Sequence, residues 1–180
     1  MNFIKLKNPK TELYLDFKNQ ILSPQFNWIY SGTTNPDKKS TRGDEYGESD
    51  MYQHCLLLRP TLDRLFSLPT SPQLETFNSI ILEIFKYNRI NLTHEFSLMV
   101  RASVNAVNPR VGKVKYCIPH QDHPFPHKNM LIYLTDAGGS TFMKGKEHVP
   151  EEDDIVIFQG EHWHELPELK RRVVLVMTYI

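Results

Sequence analysis

Residues 130–180 read MLIYLTDAGGSTFMKGKEHVPEEDDIVIFQGEHWHELPELKRRVVLVMTYI, and this stretch decides the fold. Runs rich in Val, Ile, Leu and Tyr (130–135, 154–158 and 171–180) are separated by turn signals such as Asp136-Ala137-Gly138-Gly139. β-branched residues in short runs bounded by Gly and Asp read as strands. STFM, the tight KGK and EHV predict a hairpin over 140–149. Just upstream, VGKVKYCIPHQD at 111–122 alternates Val111, Lys113 and Lys115 against Gly112, Val114 and Tyr116, and predicts a further strand. Many short antiparallel strands at close spacing predict a mainly β sandwich or jelly roll, a double-stranded β-helix with a pocket between its sheets.

The N-terminal half supplies what packs outside that barrel. Thr11 is a candidate N-cap for ELYLDFKNQIL, which predicts a helix over 11–22 stopped by Pro24. Ser71 followed by Pro72 predicts an N-cap and first helical residue for the helix after it. Leu74, Phe77, Ile80, Ile81, Ile84 and Phe85 recur at helical spacing and predict its core-facing stripe. FNWIYSG, MYQHCLLLRP and FSLMVRASVNAVNP predict supporting strands, and the polar run 32–50 predicts a long loop. The expectation is one domain over 1–180, with supporting elements over 1–105 and the barrel core over 106–180.

The chemistry is signalled by His120-Gln121-Asp122. Residues i and i+2 of a strand project from one side, so His120 and Asp122 can reach the same ion. A third ligand must come from a strand that folds back alongside, and His162 and His164 both lie on one face of such a strand. Two imidazoles and a carboxylate occupying one face of an octahedral ion form the ligand set that suits non-haem Fe(II) oxygenases.

The ordered set of H-x-D at 120–122, IYLTDAGGSTF at 132–142, DDIVIFQG at 153–160, HELP at 164–167 and an Arg opening the last strand covers residues 114–180. This set resembles the Fe(II)/2-oxoglutarate-dependent dioxygenases, particularly the prolyl-hydroxylase-like branch and its short phage members. The resemblance implies Fe(II) on His120, Asp122 and His164, with 2-oxoglutarate and O2 as cosubstrates and ascorbate in a supporting role. It selects Arg172 over Arg171 for the far carboxylate of 2-oxoglutarate, with Tyr133 and Thr141 facing the same molecule. The gap from His164 to Arg172 is slightly shorter than the hydroxylase pattern. The implied activity is hydroxylation of a C–H bond in a peptide, prolyl-like, or in a small molecule.

Composition narrows the alternatives. The formal net charge is zero, which argues against a nucleic-acid binder driven by phosphate neutralisation. Cys55 and Cys117 lie far apart and form no disulfide framework, which predicts free thiols in a reducing, cytoplasmic setting. No apolar run reaches the roughly 18 residues of a membrane span, and the N-terminus lacks a secretion signal. His123 and His127 read as surface-loop residues, while His54, His94 and His148 carry no motif. Two rival functions share the same scaffold: a zinc hydrolase or lyase whose ion activates water, and a non-catalytic binding module.

Overall fold

The computed structural model describes residues 2–33, 43–47, 49–90 and 96–180. The N-terminal half runs β1 (Ile4–Leu6), α1 (Glu12–Leu22), β2 (Ile29–Thr33), β3 (Tyr46–Gly47), β4 (Asp50–Leu58), β5 (Leu68–Pro69) and α2 (Gln73–Tyr87). Then come β6 (Met99–Val107), β7 (Tyr116–Cys117), β8 (Lys128–Tyr133), β9 (Thr141–Met143) and β10 (Lys146–His148). β11 (Ile155–Phe158), β12 (His162–His164) and β13 (Arg172–Tyr179) complete the chain. The fold is mainly β and of jelly-roll type, with the two helices packed outside.

A large antiparallel sheet has the order β1-β11-β8-β13-β6-β4-β2, with β5 paired to the end of β4. The small sheet β10-β9-β12 and the parallel pair β3-β7 complete the architecture. β6 runs across residues 105–106, where the sequence pattern starts the barrel core.

β13 shows why the last strand reads as an unbroken apolar run, since every one of its residues is buried. Side chains alternate across a strand. Val173, Leu175, Met177 and Tyr179 join the cluster under the helices, with Phe77, Ile80, Ile84 and Phe85 of α2 and Tyr14, Phe17 and Ile21 of α1. Val174 and Val176 face the other way, clustering with Leu131, Tyr133, Val156, Phe158 and Met143 of β9. Each such buried side chain contributes about 1.5–3 kcal/mol, so the helices bind the sheet's outer face chiefly through apolar burial.

Thr11 caps α1 as the sequence predicts, accepting from the Tyr14 amide at 3.3 Å. α2 begins one residue later than predicted: Pro72 occupies the cap position, and Ser71 Oγ accepts from the Gln73 amide. α1 is also tied to the loop before β11. Tyr14 Oη donates to Asp153 Oδ1 at 2.6 Å, Lys18 Nζ bonds the same oxygen at 2.6 Å, and Lys10 pairs with Oδ2 at 3.0 Å. Lys18 also pairs with Glu152. Asp153 itself adopts φ 70°, outside the regions favoured by L-residues. Asp153→Ala is expected to cost about 2–4 kcal/mol in urea unfolding, because it strands a buried ammonium and a phenol. A loss below about 1 kcal/mol would mean that Glu152 alone holds the lysine.

The structure also corrects two expectations about strands and loops. The segment 111–122 is not one strand: β7 covers only Tyr116–Cys117, and His120 joins by an isolated antiparallel bridge to His162. Part of the predicted 32–50 loop is strand, since Tyr46–Gly47 pairs with Tyr116–Cys117. Residues 34–42 and 48 of that loop, and His94, lie outside the described residues. Cys117 is buried and Cys55 half-buried, both as free thiols.

Candidate metal and cosubstrate site

A cavity of about 300 Å³ opens on the inner face of the large sheet. His120 and His162 enter it opposite one another, their backbones exchanging two hydrogen bonds of 2.9 and 3.0 Å. The ligand atoms of His120, His162 and His164 all lie within 4.8 Å of one another. His162 Nε2 is 3.6 Å from Asp122 Oδ2. The His120 and His162 rings are 4.5 Å apart, whereas His120 and His164 are 6.0 Å apart.

His120 and His162 share a local device. Each bonds the carbonyl two residues back through Nδ1, His120 to Ile118 at 2.9 Å and His162 to Gly160 at 3.1 Å. An imidazole that donates Nδ1–H to a carbonyl carries its lone pair on Nε2, the form that ligates a metal. Burial, with His120 beside it, holds the His162 pKa down to about 4, so this ring is neutral at physiological pH. Burial would also raise the Asp122 carboxyl, but Arg101, His162 and His120 together hold it down to about 2. His120 behaves differently. Burial opposes its cation, but the Cys117 sulfur and the Asp122 carboxylate outweigh that and raise it to about 9.

His164 makes another connection. Its Nδ1 is 2.8 Å from Thr141 Oγ1, which is 2.6 Å from Tyr133 Oη. Burial and the nearby Arg172 push its pKa well below the usual imidazole value. His162 and His164 pair across to Met143 and Thr141 of β9, so the small sheet sets both in register.

Arg172 is 4 % exposed, and its Nη1 donates to Gly139 O at 2.9 Å and Glu165 O at 3.0 Å. Gly139 permits this approach: at φ 83°, a Cβ there would meet Glu165 O at 2.6 Å and Arg172 Nη1 at 3.0 Å. Arg172 Nε is buried without a hydrogen-bond partner, and among the described residues no carboxylate forms an ion pair with it. Arg171 is exposed, bonds Asn108 and stacks on the Tyr52 ring. Neighbours on a strand face opposite ways, and the first of these two arginines is outside and the second inside.

His120, Asp122, His164, Arg172 and Tyr133 line one cavity, with Thr141 hydrogen-bonded to two of them. The cavity also takes in residues that the sequence does not mark as site residues, among them Arg59, Arg101, Asn129 and Cys117. His123 and His127 are buried, at 4 % and 5 % exposure, rather than on a surface loop. His123 Nε2 bonds Thr178 Oγ1 of β13 at 2.7 Å and its ring stacks on Phe125, while His127 Nδ1 bonds Phe125 O at 2.7 Å.

Solved structures share this architecture. A Burkholderia pseudomallei oxidoreductase of the 2OG-Fe(II) oxygenase family superposes with a TM-score of 0.68 at 13% identity, covering 99% of this chain and 85% of that one. A Trichoplax adhaerens prolyl hydroxylase, in complex with a hypoxia-inducible-factor peptide fragment, gives 0.60 at 13% identity over 99% and 83%. A Pseudomonas putida prolyl-4-hydroxylase gives 0.52 at 12% identity over 99% and 92%. No protein-family model matches the chain, and no curated protein matches it in sequence. The chain has the fold of the 2-oxoglutarate-Fe(II) oxygenases, and its prolyl-hydroxylase-like appearance in sequence is matched by structures of that kind. Among the described residues, no helix is long and apolar enough to cross a membrane.

Proposed function

We propose that the chain is a single-domain, Fe(II)- and 2-oxoglutarate-dependent oxygenase that hydroxylates a C–H bond. The observation that carries this reading is the buried guanidinium of Arg172, with Nε unpartnered, in the same cavity as three imidazoles and a carboxylate. A buried cation without a counter-charge is costly, and a cosubstrate carboxylate would relieve that cost. A water-activating zinc site has no use for such a group.

The donor set fits an octahedral ion. Donors about 2.1 Å from one ion lie about 3 Å apart when adjacent, and the 3.6 Å between His162 Nε2 and Asp122 Oδ2 is close to that. We assign the ligands as His120, Asp122 and His162, where the sequence resemblance selects His164. The shared Nδ1–carbonyl device and the shorter ring separation support His162. His162 also lengthens the gap to Arg172 by two residues, toward the hydroxylase pattern. His164, Thr141 and Tyr133 then form a hydrogen-bonded wall on the Arg172 side.

Bound Fe(II), with 2-oxoglutarate and O2, supplies oxidative decarboxylation to succinate and carbon dioxide coupled to oxidation of the substrate. The chain's own residues bind and orient. Arg172 commits Nη1 to two carbonyls, which aims the rest of its planar fork for a carboxylate. Leu131, Val174 and Val176 line the cavity beside it and keep that end apolar. The free thiols support a cytoplasmic location; ascorbate would act only to keep the metal reduced.

Metal affinity is expected to fall as pH drops. A protonated imidazole cannot ligate, and His120 holds its proton up to about pH 9 in the metal-free chain. Binding of Mn(II), a non-oxidising stand-in, should weaken by up to about tenfold per pH unit between about pH 8.5 and 6.5. Affinity that is flat across that range would remove His120 from the ligand set.

Turnover of 2-oxoglutarate to succinate, dependent on added Fe(II), tests the reading as a whole. Its absence in folded, metal-loaded protein would return the choice to zinc chemistry or a binding module.

A further inference from the structure

Three guanidiniums, Arg59, Arg101 and Arg172, line the cavity, against one carboxylate, Asp122. Arg172 lies at the Tyr133 end. The other two converge on Asp122 from different elements. Arg101 of β6 pairs through Nη1 with Asp122 Oδ1 at 2.9 Å, with both side chains nearly buried. Arg59, just past the end of β4, donates from Nη1 to the Asp122 backbone carbonyl at 2.8 Å. Partial burial, and then the nearby Arg101 guanidinium, lower the Arg59 pKa.

This excess of positive charge needs an answer. With Asp122 as a metal ligand, its charge is shared with a divalent ion. A 2-oxoglutarate dianion then balances the remaining metal charge and Arg172. Arg101 then shares Asp122 with the metal, and Arg59, exposed at the cavity mouth, reaches only the Asp122 backbone carbonyl. The two guanidiniums thus have no carboxylate besides Asp122 among the described lining residues. Each guanidinium has five N–H donors, and in each a single nitrogen, Nη1, reaches Asp122.

The wall between the two ends carries polar groups as well. Gln53 Nε2 donates to Asn105 Oδ1 at 3.0 Å, and Ser103 Oγ donates to the same oxygen at 3.1 Å. Strand pairing sets Gln53 of β4 beside Asn105 of β6, and Asn105 in turn beside Val174 of β13. The cavity thus runs from Arg172 at one end to Arg101, joined by Arg59, at the other, with the Gln53–Asn105 pair between them.

We infer that the substrate carries a carboxylate, which Arg59 and Arg101 hold beside the metal while the Gln53–Asn105 strip hydrogen-bonds its polar stem. This inference rests on the oxygenase reading and adds the class of substrate to it. The substrate is a polar acid, either a free metabolite or a peptide end, rather than an internal apolar side chain.

The test follows the arginine Nε–H signals by NMR in Zn(II)-loaded protein, zinc being diamagnetic. Arg59→Lys, Arg101→Lys and Arg172→Lys assign the signals. 2-Oxoglutarate is added first and should shift Arg172. If it leaves Arg172 unmoved, the cosubstrate reading fails, whatever Arg59 and Arg101 do. N-acetylglycine is then titrated against N-acetylglycinamide, and a glycine-ended hexapeptide acid against its amide.

The expected result is a saturable shift of Arg59 and Arg101 with an acid and none with its amide. Whichever acid binds more tightly identifies metabolite or peptide end. Arg59→Gln should weaken that acid by about tenfold, the value of one charge-assisted contact. Equal responses to acid and amide, no response to either acid, or displacement of Arg59 and Arg101 by 2-oxoglutarate itself would overturn the inference.

Discussion

His162→Ala is expected to abolish 2-oxoglutarate turnover and to weaken Fe(II) binding by more than about 100-fold, beyond the roughly 10–100-fold typical of losing an outer hydrogen-bond partner of a ligand. The imidazole is buried, neutral and fixed by Gly160 O, with Nε2 beside Asp122. His164→Ala is expected to keep the metal, because His164 is farther from His120 and bonds Thr141 instead. Asp122→Ala should fall with His162→Ala, and it also leaves Arg101 without its ion pair. Equilibrium dialysis of Fe(II) under argon, with circular dichroism to check folding, measures all three. If His164→Ala loses the metal and His162→Ala keeps it, the assignment reverts to the ligand selected by sequence resemblance.

Arg172→Met is the second large effect. It should weaken 2-oxoglutarate by about 30–150-fold, since a buried, charge-assisted contact is worth about 2–3 kcal/mol. The same variant should lose no thermal stability in the absence of 2-oxoglutarate, because an unpaired buried guanidinium is removed. The two readouts together separate a binding role from a structural one. Loss of stability with unchanged 2-oxoglutarate affinity would make Arg172 a fold residue held by Gly139 and Glu165. Arg171→Met, on an exposed side chain, should change neither value by much.

The sequence exposes the fold most clearly where one period dominates. The stripe of α2 from Phe77 to Phe85 is read directly from spacing, and β13 from its run of β-branched residues. It fails where a strand is short. The H-x-D segment looks like part of a long alternating run, yet its order comes from a bridge to His162, a contact made across some forty residues.

The same limit governs the site. His162 and His164 are two residues apart on one strand, so periodicity alone cannot rank them; the HELP run at 164–167 favours His164, and the gap to Arg172 favours His162. The inward face of Arg172 is legible because alternation forces one of two neighbouring arginines inside. Arg59 and Arg101 carry no motif. They meet at Asp122 only because β4 and β6 are paired in the sheet. His123 and His127 sit in a proline-rich segment that resembles a surface loop, and their burial depends on Thr178 and Phe125.

Whether one cavity holds a metal and 2-oxoglutarate together is tested most directly by an anaerobic Fe(II) titration with and without 2-oxoglutarate. The expected result is a visible charge-transfer band that needs both components and is lost in His162→Ala and, at the same 2-oxoglutarate concentration, in Arg172→Met. Folded protein that binds Fe(II) but gives no band with 2-oxoglutarate would contradict joint binding in this cavity.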